Sequence, residues 1–468
     1  MRVHVTDPLF AWNRLDDSPD LRTVRDLLAS VPDGALLESL RKARGRGRDD
    51  YPVSVLWGVL LLTIALRHTS IEACLSELRR NADLRRLIGI DSEARVPRKW
   101  NMSRFLEVLG QEPHRTLLRE AFDAMVQRLG RAVPDLGRNT AGDSSGLSAR
   151  PLAEDAELHG LPAPAGGRKE YTDESGAVTR VVAWHGYKFH LLVDVKHEVI
   201  LAWQLSSTKQ GDNQLVPKLL EQARGNLPEG RIQTLAYDKA ADDDATHRLL
   251  HEAGIAPLIE NRRLWKDEFE RPLPRREAGG AARKNGARKG GMNTSRNCDL
   301  SHLVHDEAGT VYCYDKVSDP CVRHKMAYIG REPDRATLKY RCPARHEGWS
   351  CPSEQRCNAG KIYGLTVRVP RERDLRRFPP IPRTTKKFER LYKGRTAVER
   401  VNARVKIFWG ADDGNIVGTT RFAAFLSAVM IVHAGFATLL ASCPRRDGTL
   451  GRMRISPIAE ALTAVCSN

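Results

Sequence analysis

Residues 422–442, FAAFLSAVMIVHAGFATLLAS, carry no formal charge apart from a protonatable His433. A run this long and apolar must leave water, either into a bilayer or into a protein core. It is rich in Ala and Ser, holds a Gly and a His, and begins soon after a charged helical stretch. Those features point to a buried core helix rather than a membrane span. A second run, 53–66, VSVLWGVLLLTIAL, is too short to span. With 468 residues and 41% hydrophobic composition the chain can bury a substantial core, and two or three domains are expected.

Charge narrows the partners. The net charge is +17 and the pI about 9.6, the footprint of a protein that meets a polyanion, with nucleic acid first and an anionic membrane surface as the rival. The opening residues MRVHVTDPLF lack the apolar core of a secretory signal, and the nine cysteines show no small-domain disulfide framework. A reducing cytoplasm is the expected setting.

Residues 1–130 read as mostly helical. Short amphipathic pieces cover Leu21–Leu28 and Leu36–Leu40, and Tyr51-Pro52 opens the apolar helix. Thr69 or Ser70 caps one helix over 71–89, and Asn101 or Ser103 caps the next. Arg79, Arg80, Arg85, Arg86, Arg98, Lys99 and Arg104 crowd this region. Any one of them solvates a helix face; as a group they favour DNA contact. Asp143 then sits in a small-residue stretch, NTAGDSSGLSAR, where an Asp before Ser usually marks a turn or cap. A surface excursion follows over 151–176.

Residues 180–206 alternate apolar and polar and form a hairpin turning at His197-Glu198, with Asp194 just before the turn as an acidic decoy. His185 and His190 offer imidazoles, but a strand histidine is more often structural. Residues 213–226 read as a helix with Pro217 in its first turn. Asp238 ends the strand Ile232–Tyr237, where sites form in α/β sheets. Asp242, Asp243 and Asp244 follow, better suited to capping the next helix. Residues 261–300 are a flexible basic segment, residues 311–369 are stranded again, and 370–391 read as a Pro- and Arg-rich linker. Cys321, Cys342, Cys351 and Cys357 offer a structural zinc site, although no CxxC pair supports it; otherwise they are reduced thiols.

The stretch 392–406, YKGRTAVERVNARVK, reads as one helix apart from its glycine. Tyr392, Arg395, Glu399 and Lys406 return to nearly one face. An exposed Arg395–Glu399 pair is the simpler reading; an acid among phosphate-seeking cations is also what a metal-dependent nuclease helix needs. The spacing Tyr-x2-Arg-x3-Glu-x6-Lys resembles the signature around the last catalytic acid of bacterial insertion-sequence DDE transposases. The pattern YP, an apolar helix, SIEACLSELRRNADLRRLIGI, VP and SRF resembles the N-terminal domain of the same family.

That resemblance implies an α/β ribonuclease H-like catalytic domain, a mixed sheet flanked by helices, with a helical N-terminal domain and a β-rich, Cys-containing insertion. It implies a helical DNA-binding domain over 1–130, catalytic parts over 131–264 and 386–442, a basic linker and insertion over 265–385, and a tail over 443–468. Asp143, Asp238 and Glu399 become the catalytic acids, holding two Mg²⁺ or Mn²⁺ ions, with Asp143 between the ions and the other two acids each holding one. Tyr392, Arg395 and Lys406 grip DNA. The partners implied are double-stranded DNA, as terminal inverted repeats and as target, and a second copy of the chain; no membrane is implied. The implied activity is DNA cleavage at the repeats followed by strand transfer. The rivals are an inactive transposase-derived DNA-binding protein, a two-metal nuclease without strand transfer, and a membrane-associated basic protein.

Overall fold

A computed structural model describes residues 19–45, 50–150, 160–266, 269–273, 302–442 and 450, apart from positions 174, 176 and 316. Most of the basic segment 261–300, part of the 151–176 excursion, and the tail save Leu450 lie outside the described residues. The chain divides into two compact units, 1–232 with 395–468, and 233–394.

The first unit opens with helices α1 (Pro19–Ser30), α2 (Gly34–Arg44), α3 (Val53–Ala65), α4 (Ile71–Arg80), α5 (Ala82–Leu87), α6 (Lys99–Leu109) and α7 (His114–Ala132). The single helix expected over 71–89 is broken at Asn81, whose side chain accepts from the Asp83 and Leu84 amides and starts a new helix. A short polar side chain competes for the backbone in this way. Ser70 caps α4 as expected, accepting from Ala73 N at 3.1 Å. Neither Asn101 nor Ser103 is the cap of α6. That helix starts at Lys99, and Asn101 in its first turn accepts from the Arg98 amide at 3.0 Å.

Strands β1 (Asn139–Ser148), β2 (Ala165–Thr172), β3 (Val178–Asp194) and β4 (Ile200–Ser207) follow, then α8 (Asp212–Asn226). All pairings of β3 are antiparallel: with β2 through its first half, and with β1 and β4 through its second. The hairpin turning at His197-Glu198 is as expected. The excursion over 151–176 is not all loop, because β2 lies within it. Its glycine-rich sequence hides the strand for a packing reason: a Cβ on Gly167 would stand 2.3 Å from the Trp184 ring, and one on Gly146 of β1 2.2 Å from it. Pro217 lies inside α8, past its first turn.

The second unit begins with β5 (Thr234–Tyr237), α9 (Asp244–Glu252) and β6 (Ala256–Ile259), with β5 and β6 parallel. Strands β7 (Glu270–Pro272), β8 (Leu303–Asp306), β9 (Val311–Asp315) and β10 (Val322–Lys325) make one antiparallel sheet in the order β10-β9-β8-β7. Strands β11 (Ala327–Glu332), β12 (Thr337–Arg341) and β13 (Thr366–Pro370) make another, with α10 (Pro343–Glu347) and α11 (Glu354–Asn358) between its last two strands. Next comes α12 (Lys386–Tyr392).

The supposed linker 370–391 is anchored rather than loose. Arg376 and Arg383 are buried against Asp242, at 2.8 and 3.0 Å. Asp242 also faces His247 at 2.9 Å and accepts from the Arg262 amide at 2.8 Å. Burial alone raises an acid's pKa, but the His247 and Arg376 hydrogen bonds and the Arg383 charge outweigh it and hold the Asp242 carboxyl down to about 2. Arginines in a Pro-rich stretch read as solvated because their acid lies so far away in the chain.

The chain then returns to the first unit with α13 (Thr396–Ala403), a π-helical turn over Arg404–Phe408, and α14 (Thr419–Ser442). The single helix expected over 392–406 is therefore interrupted: α12 ends at Tyr392, and a 3-10 turn over Lys393–Arg395 contains Gly394. Lys393 and Arg395 both keep right-handed helical angles, so the interruption is a tightened turn rather than a reversal of the chain.

Helix α14 contains the apolar run. It is long and apolar enough to cross a membrane, yet its most apolar window is 83% buried inside the protein. It packs against α1, α3, α6, α7 and β4. Tyr187 of β3 stacks on Phe422 at 5.5 Å, and its hydroxyl donates to Thr419 at 2.8 Å. Each large side chain so buried contributes about 1.5–3 kcal/mol. His433 is fully buried and accepts from the Ile200 amide of β4 at 3.0 Å, so that ring nitrogen carries no proton. Burial, with Arg404 adding repulsion, pushes His433 down to about 3.

Two outcomes follow from these buried groups. Since His433 binds its proton more readily in the unfolded chain, its contribution to stability is complete above pH 6.5 and declines as pH falls towards 3. His433→Gln keeps an acceptor and should flatten that acid limb in denaturation midpoints measured against pH; an unchanged limb would refute the assignment. Asp242→Asn leaves two buried guanidinium groups without their counter-charge and should cost roughly 3–5 kcal/mol in chemical denaturation.

Candidate active site

Asp143 lies in the middle of β1, half-buried, opposite Leu191 of β3. Strand alternation puts Ser145 on the same face. Lys406, in the π-helical turn after α13, reaches that strand. Its ammonium donates to the Gly146 carbonyl at 2.6 Å and the Ser145 hydroxyl at 3.3 Å, and pairs with Asp412 at 3.0 Å. Lys406 is therefore tied to the strand that carries Asp143.

A second clamp holds the same helix. Glu198, in the β3–β4 turn at φ 55°, bonds Arg400 at 2.6 Å and Arg404 at 2.7 Å. Burial opposes ionisation of Glu198, but the Arg404 and Arg400 hydrogen bonds outweigh it and hold its carboxyl below the usual range. Ala397, Val398 and Val401 are buried, and α13 packs against β1 and β3. Glu399 lies on the exposed side, 50% accessible, with Arg395 beside it at 2.8 Å. The simple i,i+4 pair is thus present, and Glu399 remains open to solvent beyond it.

Asp238 belongs to the second unit. It follows β5 directly and caps the 3-10 turn Lys239–Ala241, accepting from Ala240 N at 2.9 Å. The far end of that turn is fixed by the buried Asp242. Asp243 caps α9 through the Thr246 amide at 2.8 Å, as expected of Asp244 or a neighbour, whereas Asp242 is not a cap but a buried ion-pair centre. Tyr392 is also in the second unit, its ring stacked on Phe388 at 5.6 Å.

The other sequence candidates take structural places. His190 is buried on Ser206 at 2.8 Å, and burial pushes it down to about 4. His185 is exposed. Asp194 is buried and accepts from the Gly137 and His197 amides. Among the basic residues of the helical region, Arg85 caps the Leu78 and Arg79 carbonyls, Arg80 and Arg86 pair within their own helices, and Lys99 pairs with Glu72. Arg79, Arg98 and Arg104 are exposed, the last over the exposed ring of Trp100 at 5.5 Å. Cys321 is exposed. Among the described residues no three His, Cys, Asp or Glu side chains already stand in a ligand arrangement.

Glu198, Arg376 and Arg383 are the positioning residues that sequence reasoning missed. Each looks like an ordinary turn or surface charge, and its partner lies far away in the chain. Only the apolar residues around Glu198 hinted that its turn would be covered.

Comparison with known families bears on two stretches of the chain. The model described as Transposase DDE domain matches residues 154–434. That span includes Asp238 and Glu399 and begins after Asp143. The model described as Transposase domain (DUF772) matches residues 13–107, the helical N-terminal region. No curated protein matches the chain. With the larger match covering more than half of its length, the chain belongs to the DDE-domain transposases.

Proposed function

We propose that this transposase cuts DNA at the terminal inverted repeats of its element and joins the freed ends to target DNA, with Asp143, Asp238 and Glu399 as its catalytic acids. The observation that carries the reading is the grip of Lys406 on Gly146 and Ser145. It holds the Glu399 helix across the strand that bears Asp143. The ribonuclease H-like arrangement is part of the proposal, supported by the antiparallel pairing of β1 with β3 and of β3 with β4.

The donor set suits hard divalent cations. Three carboxylates without imidazole or thiolate match Mg²⁺ or Mn²⁺ rather than a softer metal. Two such ions, when bound, activate the attacking oxygen, relieve charge at phosphorus and stabilise the leaving oxygen. The chain's own part is to hold the acids and orient DNA. The Asp242 centre fixes the turn that presents Asp238, and Glu198 with Lys406 fixes the helix that presents Glu399. Arg395 beside Glu399, with Tyr392, grips end phosphates, while Lys406 serves as a positioning residue. The exposed Arg79, Arg98 and Arg104 favour DNA contact by the helical region. Water first displaces the 3′ oxygen at the element's end, breaking the P–O3′ bond; the resulting hydroxyl then displaces the equivalent oxygen in target DNA. Two ends call for a dimer at work.

A second reading has its own support. Glu399 already has a cationic partner within its own helix in Arg395, as in a transposase-derived protein that binds DNA without cutting.

Incubation with a terminal-repeat duplex and Mg²⁺ separates the two. The catalytic reading expects a nick at the repeat junction, lost by at least about a hundredfold in Asp238→Asn and in Glu399→Gln, with duplex binding largely retained. Cleavage undiminished in either variant would remove that acid from the site; binding with no cleavage by the unmodified chain would favour the second reading. Phosphate gripping further predicts that log Kd rises steeply and linearly with log salt, and a flat response would contradict it.

A further inference from the structure

The second unit contains a small cavity lined by basic side chains and by no carboxylate. It holds about 100 Å³, room for several waters or one tetrahedral oxyanion. His247 and His251, four residues apart on α9, line it together. Arg331 reaches it from β11, and Arg371 from the residue just after β13. Arg371 is the group that calls for an anion. It is only 3% exposed. Its Nε donates to the Phe378 carbonyl at 3.2 Å, and its two terminal nitrogens have no acceptor among the described residues. Arg376 and Arg383, by contrast, share the Asp242 carboxylate. Burial, and then repulsion by Arg331, pull Arg371 down to about 10, and the exposed Glu372 offsets only part of this. Arg371 is still charged at neutral pH, and a buried cation without a counter-charge is costly. His247 adds a second unmet group. Its Nε2 donates to Asp242 at 2.9 Å, while its buried Nδ1 has no partner in the protein.

We propose that this cavity binds a phosphate group, held by the buried Arg371 and His247 and by Arg331 and His251 at its exposed rim. The oxyanion gives the Arg371 guanidinium the counter-charge that it lacks, through forked N–H···O bonds. It meets His247 through a proton taken up from solvent at Nδ1, since Nε2 keeps its own proton on Asp242. Donors from a helix, a strand and the end of another strand surround a tetrahedral set of oxygens better than the flat pair of a carboxylate. Arg331 and His251 are exposed, so solvent reaches the cavity. Two sources share this chemistry: a phosphodiester of bound DNA and a free phosphate ion. Neither the three catalytic acids nor Tyr392, Arg395 and Lys406 line the cavity.

The test is thermal denaturation of the full chain in inorganic phosphate, against chloride of equal ionic strength. An anion that binds only the folded chain raises the midpoint. Phosphate also stabilises proteins in general, so the readout is the phosphate increment of the wild type less that of a variant. Arg371→Gln and Arg331→Gln should each lose the specific part of the increment. Arg331→Gln changes an exposed side chain and should fold, so it decides the matter if Arg371→Gln does not fold. An equal increment in the wild type and Arg331→Gln would overturn the site, as would an acetate increment as large as that of phosphate. A second arm identifies the source, and it alone rests on the reading of the chain as a DNA-handling enzyme. If a DNA phosphodiester fills the cavity, the slope of log Kd for a duplex against log salt becomes shallower by about one in Arg331→Gln. An unchanged slope, with the phosphate increment lost, assigns the site to free phosphate. DNA cleavage is read in neither arm, so failure of this site and failure of the catalytic reading remain distinguishable.

Discussion

The burial of α14 is the constraint on which the first unit depends. A helix apolar on nearly every side has no solvent face, so other elements must surround it. Helices α1, α3, α6 and α7 and strand β4 do so. The one awkward group on it, His433, is turned into an attachment point by accepting from Ile200 N. Its ring also meets Trp409 edge-on at 5.3 Å. Trp409 ends the π-helical turn that carries Lys406. Core contact therefore passes from this helix through Trp409 to the π-helical turn that follows the Glu399 helix.

Charge does a different job in each unit. In the first, Glu198 and Lys406 are partly buried clamps at the edge of the core, and they set the direction of α13 more than they add stability. In the second, Asp242 has no accessible side-chain surface, and its guanidinium partners are nearly as buried. Such a centre is costly to assemble and more costly to break, so its worth lies in fixing one arrangement of the backbone. That arrangement includes the turn that begins at Asp238. Both devices hold an acid through its neighbours and leave the carboxylate itself accessible.

Most elements whose signals are local were legible in the sequence. The alternating run over 180–206, the Ser70 cap, the strand before Asp238 and the apolar helix all depend on residues within one or two turns. The elements that were misread depend on distant partners. Strand β2 is glycine-rich because Trp184 needs the room, and the arginines after residue 370 are buried because of an aspartate far upstream. No window of sequence contains both halves of either cause. The break of the 392–406 helix is the intermediate case: Gly394 was visible as a weak point, but the boundary between compact units that falls there was not.

The same reasoning separates the parts of the site. Glu399 was identified by a spaced pattern of four side chains, and Arg395 meets it as helical spacing alone would have it. Lys406 turned inward to a backbone carbonyl, which a sequence pattern cannot distinguish from a lysine reaching outward to phosphate. A partly buried lysine–carbonyl bond restrains distance and angle, whereas a fully exposed lysine fixes neither. The signature is therefore better understood as two functions in one stretch: a cation beside the acid that can meet DNA, and a second cation that keeps the acid's helix on its strand. On that account a change at Lys406 disturbs the placement of Glu399 before it disturbs any contact with phosphate.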